Sequence, residues 1–263
     1  MNTIKSLSII LPTLNEYTNL KILIPQIIIE MNQFSELQYE ILVVDDNSDD
    51  DTENLIHDFS VTNSNIKFIK RTNPPSLPMS IWEGINNSKS DYVVWLDADG
   101  SMPPTTISNL IKKQSQNKES VVIASRFVAG GGYKGIEEAG KTSFFTAMYN
   151  VYKSKDSVLA TILSKIFNNI LYRVLPGNVK DVTSGFIMGK KNYFYIDTFR
   201  RAAYGDYFLY LITNLNQKNI NIIEVGYLCE TRLHGNSKTG SNIFQLIKRG
   251  FPYIIASLKC RIS

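Results

Sequence analysis

Apolar runs along the first hundred residues recur at regular intervals, each ending in polar, turn-forming residues. Leu7–Leu11, apolar except for Ser8, predicts a first buried strand that Pro12 stops. "YTNLKILIPQIIIEMNQF" carries a helical pattern, with Asn15 or Thr18 as cap and Pro25 as a kink or a displaced start. "YEILVVDD" predicts a second strand, "SDDDTENLIHDFS" a loop and helix, and "NIKFIK" a third strand. "PMSIWEGINNS" predicts a short helix and "DYVVWLD" a fourth strand. These strands lack the in-out alternation of a half-solvated sheet. Alternation of strand and helix therefore predicts a parallel sheet covered on both faces.

The second half is more mixed. "ESVVIASRF", "VTSGFIMGK" and "INIIEVGYL" predict strands, and "GDYFLYLITNLNQ" a helix. Thr142–Leu175 is predicted largely helical. The Gly130–Gly132 run is read either as a flexible connector or as a loop that closes over substrate. Residues 231–263 contain no Asp or Glu and six Lys or Arg. Ile243, Phe244, Leu246, Ile247 and Phe251 fall on one face of a helix there. This divides the chain into a main α/β domain, 1–230, and a basic amphipathic segment, 231–263. That segment either lies on an anionic membrane surface or packs on the domain with a solvated basic face.

Composition narrows the classes. The chain has 263 residues, 43% hydrophobic and 20% charged, which suits one large α/β core. A net charge of +4 favours small anions or an anionic membrane surface, and the absence of a Lys/Arg tract argues against nucleic acid. Cys229 and Cys260 have no metal-ligand spacing, and His57 and His234 are too few and too separated for zinc. Reduced cysteines and the absence of a signal-peptide pattern lead to an expected cytoplasmic location.

The chemistry is carried by carboxylates at strand ends. In "DYVVWLDADGSMPP" an apolar run leads into Asp97-Ala-Asp99. If the strand continued, the two acids would share a face about 6–7 Å apart. They would then repel by roughly 2–3 kcal/mol at an effective dielectric near 20. A divalent cation with a preference for oxygen would relieve that; a capped turn is the plainer reading. Asp45 and Asp46 end the second strand, where ligands of such sheets bind. Asp49, Asp50 and Asp51 are read as a solvated acidic loop. No nucleophile constellation is present, and "VTSGF" lacks the nucleophile-elbow pattern.

"SIILPTLNE", "ILVVDDNSDDDT", "VVWLDADGSMPP", "VIASRF", "DVTSGFIMGKK" and "EVGYLCETRLHGNSK" follow one another in the order seen in glycosyltransferase family 2. The set resembles most the dolichyl-phosphate mannosyltransferase and polyprenyl-phosphate glycosyltransferase branch. The resemblance implies a GT-A fold, a Rossmann-like, mostly parallel sheet with helices on both faces, here followed by a C-terminal amphipathic helix. It implies a nucleotide-sugar donor (GDP- or UDP-sugar), Mg²⁺ or Mn²⁺, a lipid phosphate acceptor and a peripheral position on the inner face of the cytoplasmic membrane. By position, Pro12, Leu14 and Glu16 would border the nucleotide, and Val44 and Asp46 its base and ribose. Asp97 and Asp99 would hold the metal, with Ser101 where a relative can carry a Gln ligand. Arg126 would lie near the phosphates or the acceptor, and Arg232 and Lys238 would face phosphate charge. The 132–164 segment is longer than the resemblance leads one to expect. It lacks an expected arginine, for which Lys134 or Lys141 would substitute.

An ionised lipid phosphate attacks without a general base, whereas a sugar hydroxyl needs one. Asp206 is the candidate base, or simply an N-terminal helix cap. The alternatives to lipid-phosphate glycosylation are transfer to a hydroxyl in surface-glycan synthesis and a catalytically idle nucleotide-sugar-binding scaffold.

Overall fold

The computed structural model describes residues 4–133, 137–138, 146, 158–175, 177–230, 232 and 243–262. The strands are β1 (Ser6–Thr13), β2 (Gln38–Asp45), β3 (Ile66–Lys70), β4 (Tyr92–Trp95), β5 (Val121–Ser125), β6 (Gly132–Tyr133), β7 (Glu137–Glu138), β8 (Ile187–Lys190), β9 (Ile222–Gly226) and β10 (Leu228–Cys229). The helices are α1 (Tyr17–Met31), α2 (Thr52–Thr62), α3 (Leu77–Asn87), α4 (Thr105–Gln116), α5 (Val158–Val174), α6 (Ile196–Arg200), α7 (Tyr207–Gln217) and α8 (Ile243–Ile262). A seven-stranded sheet runs β3-β2-β1-β4-β8-β5-β9, and β10-β6-β7 form a small second sheet.

In the large sheet only β8 is antiparallel, paired with both β4 and β5. Successive residues of each strand feed opposite layers. Leu7, Ile9 and Leu11 of β1 pack with Leu20, Leu23, Ile24 and Ile27 of α1 and with Leu110 of α4. Ile10 of β1, with Val93 and Trp95 of β4, packs with Ile81 and Ile85 of α3, Phe199 of α6 and Phe208 of α7. Both faces are covered, as a parallel sheet requires.

Pro12 does not stop β1, which runs to Thr13. The Ile10 carbonyl accepts the Leu96 N–H, so even-numbered β1 residues face β4. The β1–β4 register ends at Ile10↔Trp95, so Pro12, which has no N–H to give, stands just past the last paired position on that side while β1 stays paired with β2. Neither Asn15 nor Thr18 caps α1. Glu16 occupies the N-cap position without a capping bond to the helix backbone; its carboxylate instead accepts the Asn19 side-chain amide at 2.5 Å, and Asn15 adopts φ 57°. Pro25 lies inside α1, where the exposed Lys21 leaves its unpaired carbonyl near water.

The "INIIEVGYL" run divides at Tyr227 between β9 and β10. The Gly130–Gly132 run is packed rather than a free connector. A Cβ on Gly131 would stand 2.3 Å from the Ser125 carbonyl oxygen, and the Gly132 N–H donates to the Tyr227 carbonyl. Residues 142–145 and 147–157, together with Lys134 and Lys141, lie outside the described residues. α8 packs on α7 and α5. It buries Ala256 and Cys260, whereas Phe251, Ile254 and Leu258 are exposed.

Candidate active site

The strand order reverses direction between β1 and β4, which opens a crevice at their carboxyl ends. The loops leaving β1 and β2 are tied together on one side. The Asn15 N–H donates to Ser48 Oγ (2.8 Å), the Asp49 N–H to Asn15 Oδ1 (2.9 Å) and the Tyr17 N–H to Asp50 Oδ2 (3.0 Å). Asp45 turns back to accept the Ser48 N–H and hydroxyl. Asp50 is thus an exposed acid, like Asp49 and Asp51, that also ties the two loops together.

On the other side β4 ends at Trp95, so Asp97 and Asp99 lie beyond the strand and do not alternate along it. Asp97 is half-buried, and its backbone N–H meets Met102 Sδ at 3.4 Å. Asp99 is buried in a turn that Gly100 passes at φ 79°. Asp99 Oδ1 accepts the Ser101 N–H (2.8 Å), and Oδ2 pairs with Arg232 Nη2 (2.9 Å). Ser101 therefore meets Asp99 through its backbone, and its carbonyl accepts the Glu230 N–H.

Burial, then the Asp99 charge, pushes the Asp97 carboxyl up to about 7; Glu16 adds to this, and Arg232 and Arg126 oppose it. Glu16, Asp99, Arg126 and Arg232 are therefore all within electrostatic reach of Asp97. Their balance favours one more cation. No cluster of three or more His, Cys, Asp or Glu gathers among the described residues. Two carboxylates fit Mg²⁺ or Mn²⁺, which commonly take one or two protein acids and complete the shell with water and substrate phosphate.

Other residues singled out in the sequence have different surroundings. Val44 is fully buried between the sheet and α3, so its side chain is core and cannot reach a base. Pro12 is buried within β1, and Leu14 lies half-buried on the bend that follows it. Asp46 is buried in an ion pair with Arg71 and also accepts the Ser76 N–H at 2.7 Å. Arg71 directly follows β3 and had no role assigned from the sequence. Lys238 lies outside the described residues.

Arg126 is not free to meet a phosphate as a full charge. Its Nε donates to Asp181 Oδ2 (2.8 Å), its Nη2 to Asp181 Oδ1 (2.7 Å) and Thr183 Oγ1 (2.9 Å), and its backbone N–H to Asp181 Oδ2 (2.9 Å). Burial would lower its pKa, but the Asp181 charge outweighs that and holds it above the ordinary value. Asp181 is fully buried and opens the "DVTSGF" motif, which was the available signal for it.

Asp206 is buried at the start of α7. It makes no cap bond into the helix; Oδ1 accepts the Ala203 (3.1 Å) and Tyr204 (2.7 Å) N–H groups, and Oδ2 a second bond from Ala203 (3.3 Å). Next to it, the Tyr207 hydroxyl accepts the Trp95 Nε1–H at 3.0 Å. The start of α7 is thereby pinned to the end of β4, two residues before Asp97.

A mostly parallel sheet with its carboxylates at the β1/β4 switch defines a GT-A fold. Solved structures of glucosyl-3-phosphoglycerate synthase from Mycobacterium tuberculosis share it: one, holding Mn²⁺, UDP and glucosyl-3-phosphoglycerate, gives a TM-score of 0.63 at 16% identity over 97% of this chain and 80% of that one. Residues 8–195 match the model of Glycosyl transferase family 2, and the chain belongs to that family. It is 29% identical over 244 residues to dolichol-phosphate mannosyltransferase of Pyrococcus furiosus, covering 92% of this chain and 61% of that protein. The chain thus spans about six tenths of that relative's length. It is also 29% identical over 125 residues to the Saccharomyces cerevisiae enzyme of the same name (48% and 46%). Poly(ribitol-phosphate) β-N-acetylglucosaminyltransferase TarP of Staphylococcus aureus is 25% identical over 263 residues (96% and 73%).

Proposed function

We propose that this chain is a metal-dependent, inverting hexosyltransferase that moves a sugar from a GDP- or UDP-sugar to a polyprenyl phosphate. The observation that carries the acceptor assignment is the engagement of Asp206. Its buried carboxylate is taken up by backbone N–H groups, which fits a helix-start anchor and leaves a hydroxyl acceptor without its candidate base. A phosphate monoester, with a second pKa of about 6, is already largely ionised and attacks without one.

Leu14 and Glu16 on one wall, and Asp97, Asp99 and Arg232 on the other, would bracket the donor's diphosphate. Bound Mg²⁺ or Mn²⁺, held by Asp97 and Asp99, would offset charge growing on the departing nucleoside diphosphate. Arg232, already on Asp99, would add a positive group beside the same phosphates, with Lys238 further along the same segment as the second cation. Asp46 and Arg71 would meet the ribose and base end as a neutral pair rather than as a lone acid. Holding two anionic reactants in line is then the main task of the protein.

Residues 231–263 would form the membrane-facing segment beyond a catalytic unit at 1–230, peripheral on the inner face of the membrane. Phe251, Ile254 and Leu258 make an exposed apolar stripe on α8, with exposed Lys259 and Arg261 alongside, which suits an anionic bilayer surface. No described helix is long and apolar enough to cross a membrane.

The test offers purified protein, Mg²⁺ and polyprenyl phosphate a panel of labelled GDP- and UDP-sugars and follows label into the organic phase. Transfer is expected, lowered by at least about 10²-fold in Asp97→Asn or Asp99→Asn. The similarity to TarP along nearly the whole chain supports a second reading, transfer to a glycan or polyol hydroxyl. Label found only on such an acceptor, and lost in Asp206→Asn, would establish that reading instead.

A further inference from the structure

We propose that Tyr253, on the C-terminal helix, is an acceptor-binding residue whose hydroxyl donates a hydrogen bond to a phosphate monoester seated between Asp97 and the start of α7. This rests on the phosphate-acceptor reading above. It extends the site beyond residues 8–195, the part matched to the family.

Tyr253 is half-buried, and its ring stands edge-on to Phe167 of α5 at 5.6 Å, so helix packing fixes its direction. The hydroxyl enters a gap that a side chain would close. A Cβ on Gly205 would stand 2.1 Å from the Tyr253 hydroxyl oxygen. Gly205 precedes Asp206, and Tyr207 binds the Trp95 indole beside the Asp97 loop. The hydroxyl thus lies where α7 meets the carboxyl end of β4. Its electrostatic surroundings are Asp206, Tyr204, Arg126 and Asp97, groups from separate parts of the site. Among the described residues it has no hydrogen-bond partner.

The chemistry suits a phosphate. Burial, followed by the Asp206 charge, raises the phenol above its ordinary value, so it keeps its proton at neutral pH and can donate it. Asp206 offers no competing open carboxylate, since its oxygens accept N–H groups. Arg126 supplies positive potential nearby, moderated by Asp181. A neutral donor beside a neutralised arginine holds a phosphate oxygen without quenching its nucleophilicity, as a direct lysine contact would.

The test uses Tyr253→Phe, which keeps the ring and its Phe167 contact. Calorimetry in Mg²⁺ buffer measures binding of citronellyl phosphate, a short water-soluble prenyl phosphate, and separately of the donor nucleotide. A lost hydrogen bond to a charged group is expected to weaken citronellyl phosphate about tenfold or more and leave nucleotide affinity unchanged. In turnover, the acceptor KM rises and the donor KM does not. Gly205→Ala, which displaces the hydroxyl, is expected to give the same signature. Equal affinity of wild type and Tyr253→Phe for citronellyl phosphate would overturn the proposal, as would no binding by wild type or equal weakening of nucleotide and acceptor. Tyr253-dependent binding with no organic-phase product from any nucleotide sugar would sink the transfer reading while leaving this one standing.

Discussion

Asp181→Asn isolates what holds the "DVTSGF" segment against β5. The carboxylate is fully buried and accepts three hydrogen bonds from Arg126, at 2.7, 2.8 and 2.9 Å. Asparagine keeps the shape, but it removes the charge and turns an amide N–H toward a guanidinium N–H. The Arg126 side chain is 13% exposed, so water offers little relief. Breaking one partner of a buried, hydrogen-bonded ion pair costs about 3–5 kcal/mol. With a urea slope of about 3 kcal/mol/M, the midpoint is expected to fall by about 1 M or more at unchanged slope. Far-UV circular dichroism during urea titration measures this for Asp181→Asn, Arg126→Met and the double variant. The double variant should lose less than the sum of the singles by at least about 1 kcal/mol. Glu119→Gln, at the exposed Lys190 pair, is the control and should not shift the midpoint measurably. A fall below about 0.3 M for Asp181→Asn, with additive singles, would refute the reasoning.

Four further outcomes follow from the same geometry. Because Asp97 holds its proton up to about pH 7, Mn²⁺ affinity is expected to drop about tenfold per pH unit below that value and level off above it; titration followed by electron paramagnetic resonance reads this directly. The same raised carboxyl means that the folded state binds more protons than the unfolded one between about pH 4 and about pH 7. The metal-free wild type therefore loses stability as pH rises through that window, and in urea titrations Asp97→Asn should remove the loss. Glu40 has the opposite sign: burial raises its pKa, but the Lys67, Ser8 and Lys89 hydrogen bonds outweigh that and lower it. Its stabilisation is present above about pH 4.3 and fades on further acidification, so Glu40→Gln should flatten the acid limb of the stability curve. Tyr207→Phe strands the buried Trp95 indole N–H, and thermal unfolding should report a loss of about 1–3 kcal/mol.

The first four strands and their helices were legible because continuous apolar runs ending in Asp or Pro have few other readings. Pro12 was misread because a rule about donors depends on whether a neighbouring strand is present at that level, and β4 ends below it. The orientation of β8 was hidden for a similar reason: "FIMGK" is equally apolar in either direction, and only its partners set it. At the site, residue identity was easier to read than residue freedom. Arg126 and Asp206 sit near the crevice, yet their charges are already engaged by Asp181 and by backbone N–H groups. Val44 shows the limit of carrying a role by position, since its side chain faces α3. Tyr253 gave no signal at all, because a tyrosine in a helical stripe reads as packing until Gly205 is seen to make room for it.

The inverted strand β8 governs the order in which the molecule can assemble. β4 and β5 do not pair with each other; Ile187–Lys190 lies between them and is the strand that joins the β1–β4 side of the sheet to the β5–β9 side. A nascent chain can close β1–β4 early, but β5 joins that half of the sheet only once a segment far downstream, Ile187–Lys190, is available. Late, long-range insertion of this kind slows folding and leaves an apolar strand edge open meanwhile. The half-built sheet, rather than the finished fold, is therefore the form most prone to aggregate during expression.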